Sequence, residues 1–189
     1  MIEMENPAQK GMEGFEMNEI IRIPEERVKI LIGKNGKTKK MIEERCRIRL
    51  KIDDGDIEIT GDPTEIFFAS DIIKAIGRGF EPRKALLLLK DEYAFYLIPL
   101  REIVSSDKAI TRLKGRIIGE KGAIKLRIEE ATESFISVYG STIAIIAKVD
   151  TIEYAKEAIS MIISGARHSS VLAYLSKAKR EIMDSKFRA

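Results

Sequence analysis

One cysteine, one histidine, one glutamine and no tryptophan occur in these 189 residues. The lone Cys46 excludes an intramolecular disulfide, and with the lone His168 it excludes a Cys/His zinc site. Long apolar runs are missing too. The longest, Leu86 to Leu89 and Ala94 to Leu100, fall far short of the roughly 20 residues that a membrane span needs. No apolar stretch follows a basic segment near the start, so no secretory signal is expected and cytoplasm is the expected compartment. Scarce glutamine with abundant isoleucine and charge is a heat-adapted composition.

Apolar residues make up 44% and charged residues 33%, the balance of a folded globular chain. The net charge is only +3, but its distribution is uneven. Arg27 to Lys51 holds ten Lys/Arg against two Glu, and Lys108 to Arg127 holds seven against Glu120 alone. The first stretch is therefore +8 and the second +6, leaving −11 for everything else. A solvated helix face would mix signs. Segregated basic charge is the footprint of a nucleic-acid surface.

Both basic stretches contain a Gly-x-x-G turn: Gly33-Lys34-Asn35-Gly36 and Gly119-Glu120-Lys121-Gly122. Each turn is flanked by sequence of helical period. After the second, Ile124, Ile128 and Ala131 recur at i, i+4 and i+7. Glycine at both ends leaves the backbone bare where the second helix starts, so a phosphate can approach amides that the helix dipole favours. With 13 glycines a single match is expected by chance, but the register repeats. Ile42 and Ile128, Glu43 and Glu129, and Ile57 and Ile143 all stand 86 residues apart, as do the first glycines of the turns. The chain is an internal duplication of two small domains.

Residues 1–18 read as a flexible acidic tail, 19–79 as the first domain, 80–92 as a packed helical connector, and 93–189 as the second domain with a C-terminal helix. In the first copy, Glu19 to Ile23 reads as a strand and Pro24 opens a short helix. After the turn come a helix from Lys37 to Arg45, a strand with Ile48, Leu50 and Ile52, and a turn at Asp53 to Asp56. Asp62 with Pro63 and Glu65 starts a long amphipathic helix that stops near Gly77. The second copy repeats the order, with a strand within Tyr93 to Val104, strands at Phe135 to Tyr139 and Thr142 to Lys148, and a long helix capped by Asp150. Ser169 or Ser170 is expected to cap the last helix, which places Leu172, Leu175 and Ile182 on one face. The leucine-rich connector and that last helix are expected to pack the two copies into one rigid body.

Each copy thus reads strand–helix–turn–helix–strand–strand–helix. That order, with I-P-E-E-R-V-K-I-L-I-G-K-N-G and L-K-G-R-I-I-G-E-K-G at the turns, resembles the type I KH domain. The resemblance implies an α+β fold of two tandem type I KH domains, each a three-stranded sheet packed on three helices. Beyond the domain, A-I-G-R-G-F-E-P-R-K-A-L-L-L-L, I-S-V-Y-G-S-T-I-A-I-I-A and S-G-A-R-H-S-S-V resemble one two-KH family. It is the group of archaeal small-ribosomal-subunit assembly factors, counterparts of the eukaryotic partner-of-Nob protein. This resemblance implies a non-catalytic protein binding single-stranded ribosomal RNA near the 3′ end of the small-subunit precursor. It also implies a Nob-type endonuclease and other assembly factors as partners, with no membrane partner. The alternative is a general KH regulator of messenger RNA or an RNA-decay component. Glu120 departs from the pattern, being an acid where KH loops usually carry a basic or neutral residue.

Such a domain clamps about four nucleotides, the loop holding backbone and a groove between the helices and the strand edge holding bases. The RNA-binding candidates are the loop residues Gly33, Lys34, Asn35, Gly36, Gly119, Glu120, Lys121 and Gly122, with Lys37, Lys40 and Lys125 beside them as charge. Leu31, Gly115, Ile118, Ala123 and Ile136 are candidates to line the base grooves, with core packing an equal reading for each. Arg116 and Arg127 are candidates for base or backbone contacts. The second copy is expected to dominate sequence recognition, because it has Gly115 and Arg116 where the first has Lys29 and Ile30. No cofactor and no metal are expected. Gly36-Lys37-Thr38 looks like the end of a P-loop, but Leu31 stands where the first glycine must be and a helix precedes in place of a strand. Asp53, Asp54 and Asp56 lack the remaining ligands of a calcium loop. His168 has no second catalytic group near it in sequence and reads as a loop or RNA-contact residue.

Overall fold

The computed structural model describes residues 17–188. Residues 1–16 of the expected tail lie outside them, whereas Met17 and Asn18 already pair with Gly61 and Thr60. The first half runs β1 (Met17–Arg22), α1 (Glu25–Ile32), a single 3-10 turn (Lys34–Gly36), α2 (Lys37–Cys46), β2 (Arg49–Asp53), β3 (Asp56–Gly61) and α3 (Pro63–Gly77). A short α4 (Pro82–Ala85) and a 3-10 turn (Leu86–Leu89) lead into the second half. That half runs β4 (Tyr93–Pro99), α5 (Leu100–Ile103), α6 (Asp107–Ile118), a 3-10 turn (Glu120–Gly122), α7 (Ala123–Thr132), β5 (Phe135–Tyr139), β6 (Thr142–Lys148), α8 (Ile152–Ile163) and α9 (His168–Arg188).

Two antiparallel sheets result, ordered β1-β3-β2 and β4-β6-β5. Each is backed by its own three helices, the α+β architecture expected. Ile57 and Ile59 of β3 point into the first core with Ile42, Ile72, Ile73 and Ile76. Ile143 and Ile145 of β6 do the same in the second core with Ile117, Ile128 and Ile159. Helix starts follow local chemistry. Asp62 Oδ1 accepts from the Thr64 amide at 2.9 Å and Ser106 Oγ accepts from the Ala109 amide at 3.2 Å, a cap worth about 1 kcal/mol.

The second sheet is covered on both faces. Ala144 and Ile146 of β6, with Phe95, Leu97 and Phe135 beside them, belong to the core of the first domain. Against them sit Ala85, Leu86 and Leu88 of the connector. Polar contacts complete this seam. Ser137 Oγ donates to the Arg78 carbonyl at 2.7 Å, the Lys84 ammonium lies 4.9 Å from the Phe135 ring centroid, and the Tyr139 hydroxyl donates to Glu26. Gly79, at φ +99°, lies so close that a Cβ there would come within 3.2 Å of Tyr139.

Several expectations are corrected. The long helix of the second half starts at Ile152 after Thr151, so Asp150 is not its cap. The last helix starts at His168, which places Ser169 and Ser170 inside its first turn. Leu175 and Ile182 are buried as expected, but Leu172 is exposed: Val171, four residues before Leu175, takes the inward position, and Ala178 completes the stripe. That helix packs on α7 and α8. It serves the second core, while the connector serves the seam. The strand expected within Tyr93 to Val104 occupies Tyr93–Pro99, and Leu100 to Ile103 turns into α5, burying Leu100 completely.

Candidate nucleic-acid interface

The two Gly-x-x-G turns are near copies in backbone geometry. Gly33 and Gly119 adopt φ 71°, ψ 178° and φ 72°, ψ 179°, and Gly36 and Gly122 are left-handed at φ 73° and 83°. Between them, Asn35 and Lys121 are also left-handed, at φ 55° and 50°. The glycines divide the work. A Cβ on Gly33 would sit 2.7 Å from Thr38 Cβ, and one on Gly119 would sit 2.5 Å from Ile124 Cγ1, so the first glycine makes room for the helix that follows. A Cβ on Gly36 or Gly122 would meet nothing within 4 Å. The second glycine therefore answers to its positive φ and leaves an open approach to the first turn of α2 or α7. No side chain caps either helix start, and although the Lys37 and Ala123 amides already donate to the Lys34 and Glu120 carbonyls, the positive end of each helix dipole faces the opening.

The charged candidates separate into free and tethered groups. Lys34, Lys37 and Lys121 have no carboxylate within 4.0 Å among the described residues, and all three are exposed. Lys40 stands 3.8 Å from Glu44 with both side chains well exposed, a pair worth little in water. Arg127 is similarly placed, 3.9 Å from Glu130. Lys125 is different. It lies 2.8 Å from Glu129, whose other oxygen accepts from the Ile136 amide at 2.7 Å. The same bracket occurs in the first copy, where Lys39 is 3.7 Å from Glu43 and Glu43 accepts from the Leu50 amide at 2.9 Å. These brackets tie the helix after each loop to the edge strand of its sheet, walling the groove.

Arg116 also has a structural task. Its guanidinium donates to the Ile162 carbonyl at 2.8 Å and the Ala166 carbonyl at 2.6 Å, closing the C-terminus of α8. In the first copy Arg27 makes the matching pair, to Ile76 at 2.8 Å and Phe80 at 2.6 Å. The acceptors keep the 86-residue register, but the donors differ by one helical turn, which concealed the equivalence in sequence. His168 adds to the second site, its Nε2 lying 3.0 Å from the Arg116 carbonyl. The histidine thus joins the start of α9 to the end of α6.

Of the apolar candidates, Leu31 is fully buried and Ile136 is 3% exposed. Both belong to the cores. Ile118 is half-buried, whereas Gly115 and Ala123 are exposed and flank the second loop. A Cβ on Gly115 would meet nothing within 4 Å. Sequence reasoning missed two apolar groups at these surfaces, Ile30 at 40% and Leu126 at 54% exposure. Leu126 lies one turn past the second glycine, a spacing that the sequence already contained.

Residues 18–92 and 94–180 each match the sequence model of the eukaryotic-type KH domain, KH-domain type I. A KH domain-containing protein of Methanocaldococcus jannaschii is 42% identical over 175 residues, which span 89% of this chain and 77% of that protein. The pre-rRNA-processing protein PNO1 of Chaetomium thermophilum is 27% identical over 161 residues, or 80% of this chain and 62% of its own length. Among solved structures, Dim2p in the a/eIF2alpha–aDim2p–rRNA complex of Pyrococcus horikoshii is 41% identical with a TM-score of 0.82, covering 89% of this chain and 97% of that one. The repeated fold, the two loops and these matches agree: the chain belongs to the type I KH family, in its PNO1- and Dim2-like group of two-KH-domain proteins.

Proposed function

We propose that this chain is a non-catalytic factor that binds single-stranded ribosomal RNA, in the 3′ region of the small-subunit RNA, during ribosome assembly in the cytoplasm. The observation that carries the reading is the pair of superimposable Gly-x-x-G turns, each with an open second glycine at an uncapped helix start. Support comes from a relative named for pre-rRNA processing and from a similar chain whose solved complex contains rRNA. Gly33, Lys34, Asn35, Gly36, Lys37 and Lys40 form the contact surface of the first unit, taken as residues 19–79. Gly115, Ile118 to Ala123 and Arg127 form that of the second, taken as residues 93–189. Lys125 and Arg116 act at one remove, holding the groove walls. A Nob-type endonuclease and other assembly factors are the protein partners in this reading.

The test is titration of a single-stranded fragment from the 3′ end of small-subunit rRNA against scrambled and duplex controls. With about four phosphates neutralised on a single strand, log affinity falls with log salt at a slope of about −3. Changing Glu120 and Lys121 both to Asp should remove binding to the preferred RNA. Salt-independent affinity, or equal preference for duplex, overturns the reading. Crosslinking with sequencing of bound RNA separates a ribosomal from a messenger target.

A further inference from the structure

The duplication exposes a second kind of site. In each half, a cleft opens between the edge strand and the third helix of the domain. In the first half it is lined by Glu19, Ile21 and Arg22 of β1 and by Lys74 and Gly77 of α3, with a volume of about 340 Å³. Its mouth is lined by Leu97, which comes from β4 of the other domain and packs against the first core. Glu19 also spans this cleft, bonding to Ser70 and standing 3.6 Å from Lys74. The first cleft is thus partly filled by its own side chains and met by an apolar residue on an extended strand.

The equivalent cleft in the second half is larger, about 570 Å³, and no third domain reaches it among the described residues. Strand pairing equates Tyr96 with Glu19, since Tyr96 pairs with Ile145 and Glu19 with Ile59, 86 residues earlier. The spanning carboxylate is therefore replaced by an aromatic ring. Tyr96, Ile98, Ile103, Ile163 and Tyr174 make the apolar wall, and among the described residues β4 pairs with β6 alone, which leaves its outer edge unpaired there. Tyr96 is 40% exposed and Ile103 45%. The rim carries two acids and one cation. Lys156 is paired with Glu153 at 2.6 Å and lies 4.3 Å from the Tyr96 ring centroid, while Glu157 has no cation within 4.0 Å among the described residues. The adjoining surface adds Asp184 and Arg188 beside Tyr154, with Glu181, which stands 3.5 Å from Lys177. Burial first, and then Glu157, Tyr154 and Glu181, hold the Tyr174 phenol above its ordinary range, as a negative environment does.

We propose that this second cleft is a docking site for an extended segment of a partner protein, one that places an aliphatic side chain against Tyr96, Ile98 and Ile163 and a flanking lysine or arginine against Glu157. Two observations carry it: the duplicate cleft, which takes Leu97 from a strand, and the Glu157 carboxylate at the rim, unpaired among the described residues, which selects a basic neighbour for that side chain. Strand addition along β4 would supply backbone hydrogen bonds, and alternate side chains would supply selectivity. None of the residues that line the cleft belongs to either RNA loop, so a protein and an RNA can be held together.

The probe is a set of fluorescein-labelled peptides in which Leu, Ile or Phe alternates with Arg or Lys, with matched peptides carrying Asp in place of the basic residues. They are titrated by fluorescence anisotropy against the full chain, with the rRNA fragment titrated in parallel. Basic peptides should bind and acidic ones should not. Ser160→Trp, which fills the cleft from an exposed position on α8, and Glu157→Lys, which inverts the rim, should each weaken the peptide by about tenfold or more. RNA affinity should be unchanged in both. No binding of any basic peptide up to about 1 mM, or equal binding to the wild type and both variants, overturns the proposal. So does displacement of the peptide by RNA. Concentration-dependent self-association lost in Ser160→Trp and in Ile20→Glu would assign the cleft to a second copy instead. Loss of RNA binding with retained peptide binding would count against the RNA reading alone.

Discussion

The two sheets share one topology and differ on their outer faces. Pairing register aligns them position by position. Where the second sheet carries Phe95, Leu97, Phe135, Ala144 and Ile146 outward, the first carries Asn18, Ile20, Arg49, Glu58 and Thr60. The second face is buried under the first domain, while Lys51–Glu58 and Arg22–Asp56 pairs at 3.7 Å lie across the first. One consequence is asymmetry. The domains dock head to tail, and a further copy cannot repeat the contact because the next sheet offers charge where the first offered phenylalanine. Each apolar side chain that the seam buries is worth about 1.5–3 kcal/mol. The seam therefore sets the relation between the two loops.

The comparison breaks most severely if the second sheet is given the outer residues of the first. Ala144→Glu with Ile146→Thr leaves a charge in the seam and should cost about 3 kcal/mol or more. Urea unfolding should lose its single transition, and NMR relaxation should show the halves tumbling separately. An unchanged midpoint would mean the seam contributes little.

A smaller effect separates the two glycines of each loop. Gly33→Ala combines a positive φ with a Cβ in the place of Thr38, for a loss of about 1–3 kcal/mol. Gly36→Ala carries only the left-handed cost, about 1–2 kcal/mol. Thermal melts should rank them in that order, and Thr38→Ala should recover part of the first loss only.

Next come the paired arginines. Arg27→Met and Arg116→Met each remove two bonds to helix-terminal carbonyls and should cost about 1.5–3 kcal/mol. Arg27, whose guanidinium lies 6.0 Å from the Tyr139 ring centroid, should also loosen the seam. If Arg116→Met instead alters RNA preference while the melt is unchanged, its side chain leaves its carbonyls to meet a base.

The smallest effect is at Cys46, which Thr132 matches in the second copy. Burial first, then Glu65, push the thiol up to about 11, with Arg45 opposing. The fold thus favours the protonated thiol. That contribution to stability is whole below the ordinary thiol value of 9.0 and is lost as pH rises through about 11. Alkylation at pH 8 should therefore be slow in the folded chain and fast on unfolding. Thr132 donates to the Ile128 carbonyl at 2.8 Å, so Cys46→Thr can donate to Ile42 and should change stability by under about 1 kcal/mol.

Much of this was legible in sequence because the signals are local. The loops, the Asp62 cap and the strands at Phe135–Tyr139 and Thr142–Lys148 rest on glycine, capping chemistry and period, which act over a few residues. The β6 run T-I-A-I-I-A even announces a strand buried on both faces, beside the alternating D-I-E-I-T-G of β3. The misplaced start of α9 has a local cause as well: two serines suggested a cap, while His168 was already committed to the Arg116 carbonyl 52 residues away.

By itself, then, the sequence determined two copies of a helix–turn–helix held by sheets, each with a bare glycine turn in a basic neighbourhood. It did so because backbone freedom, period and charge are properties of neighbours along the chain. Tertiary structure decided which cations stay free for phosphate and which of the two outer faces is covered. It also made one cleft larger than its duplicate. Those outcomes depend on groups brought together from distant positions: Arg116 with Ala166, Lys125 and Glu129 with the Ile136 amide, Leu97 with the first domain. A guanidinium looks identical in sequence whether its hydrogen bonds are spent or free, and only folding settles which carbonyls lie within reach.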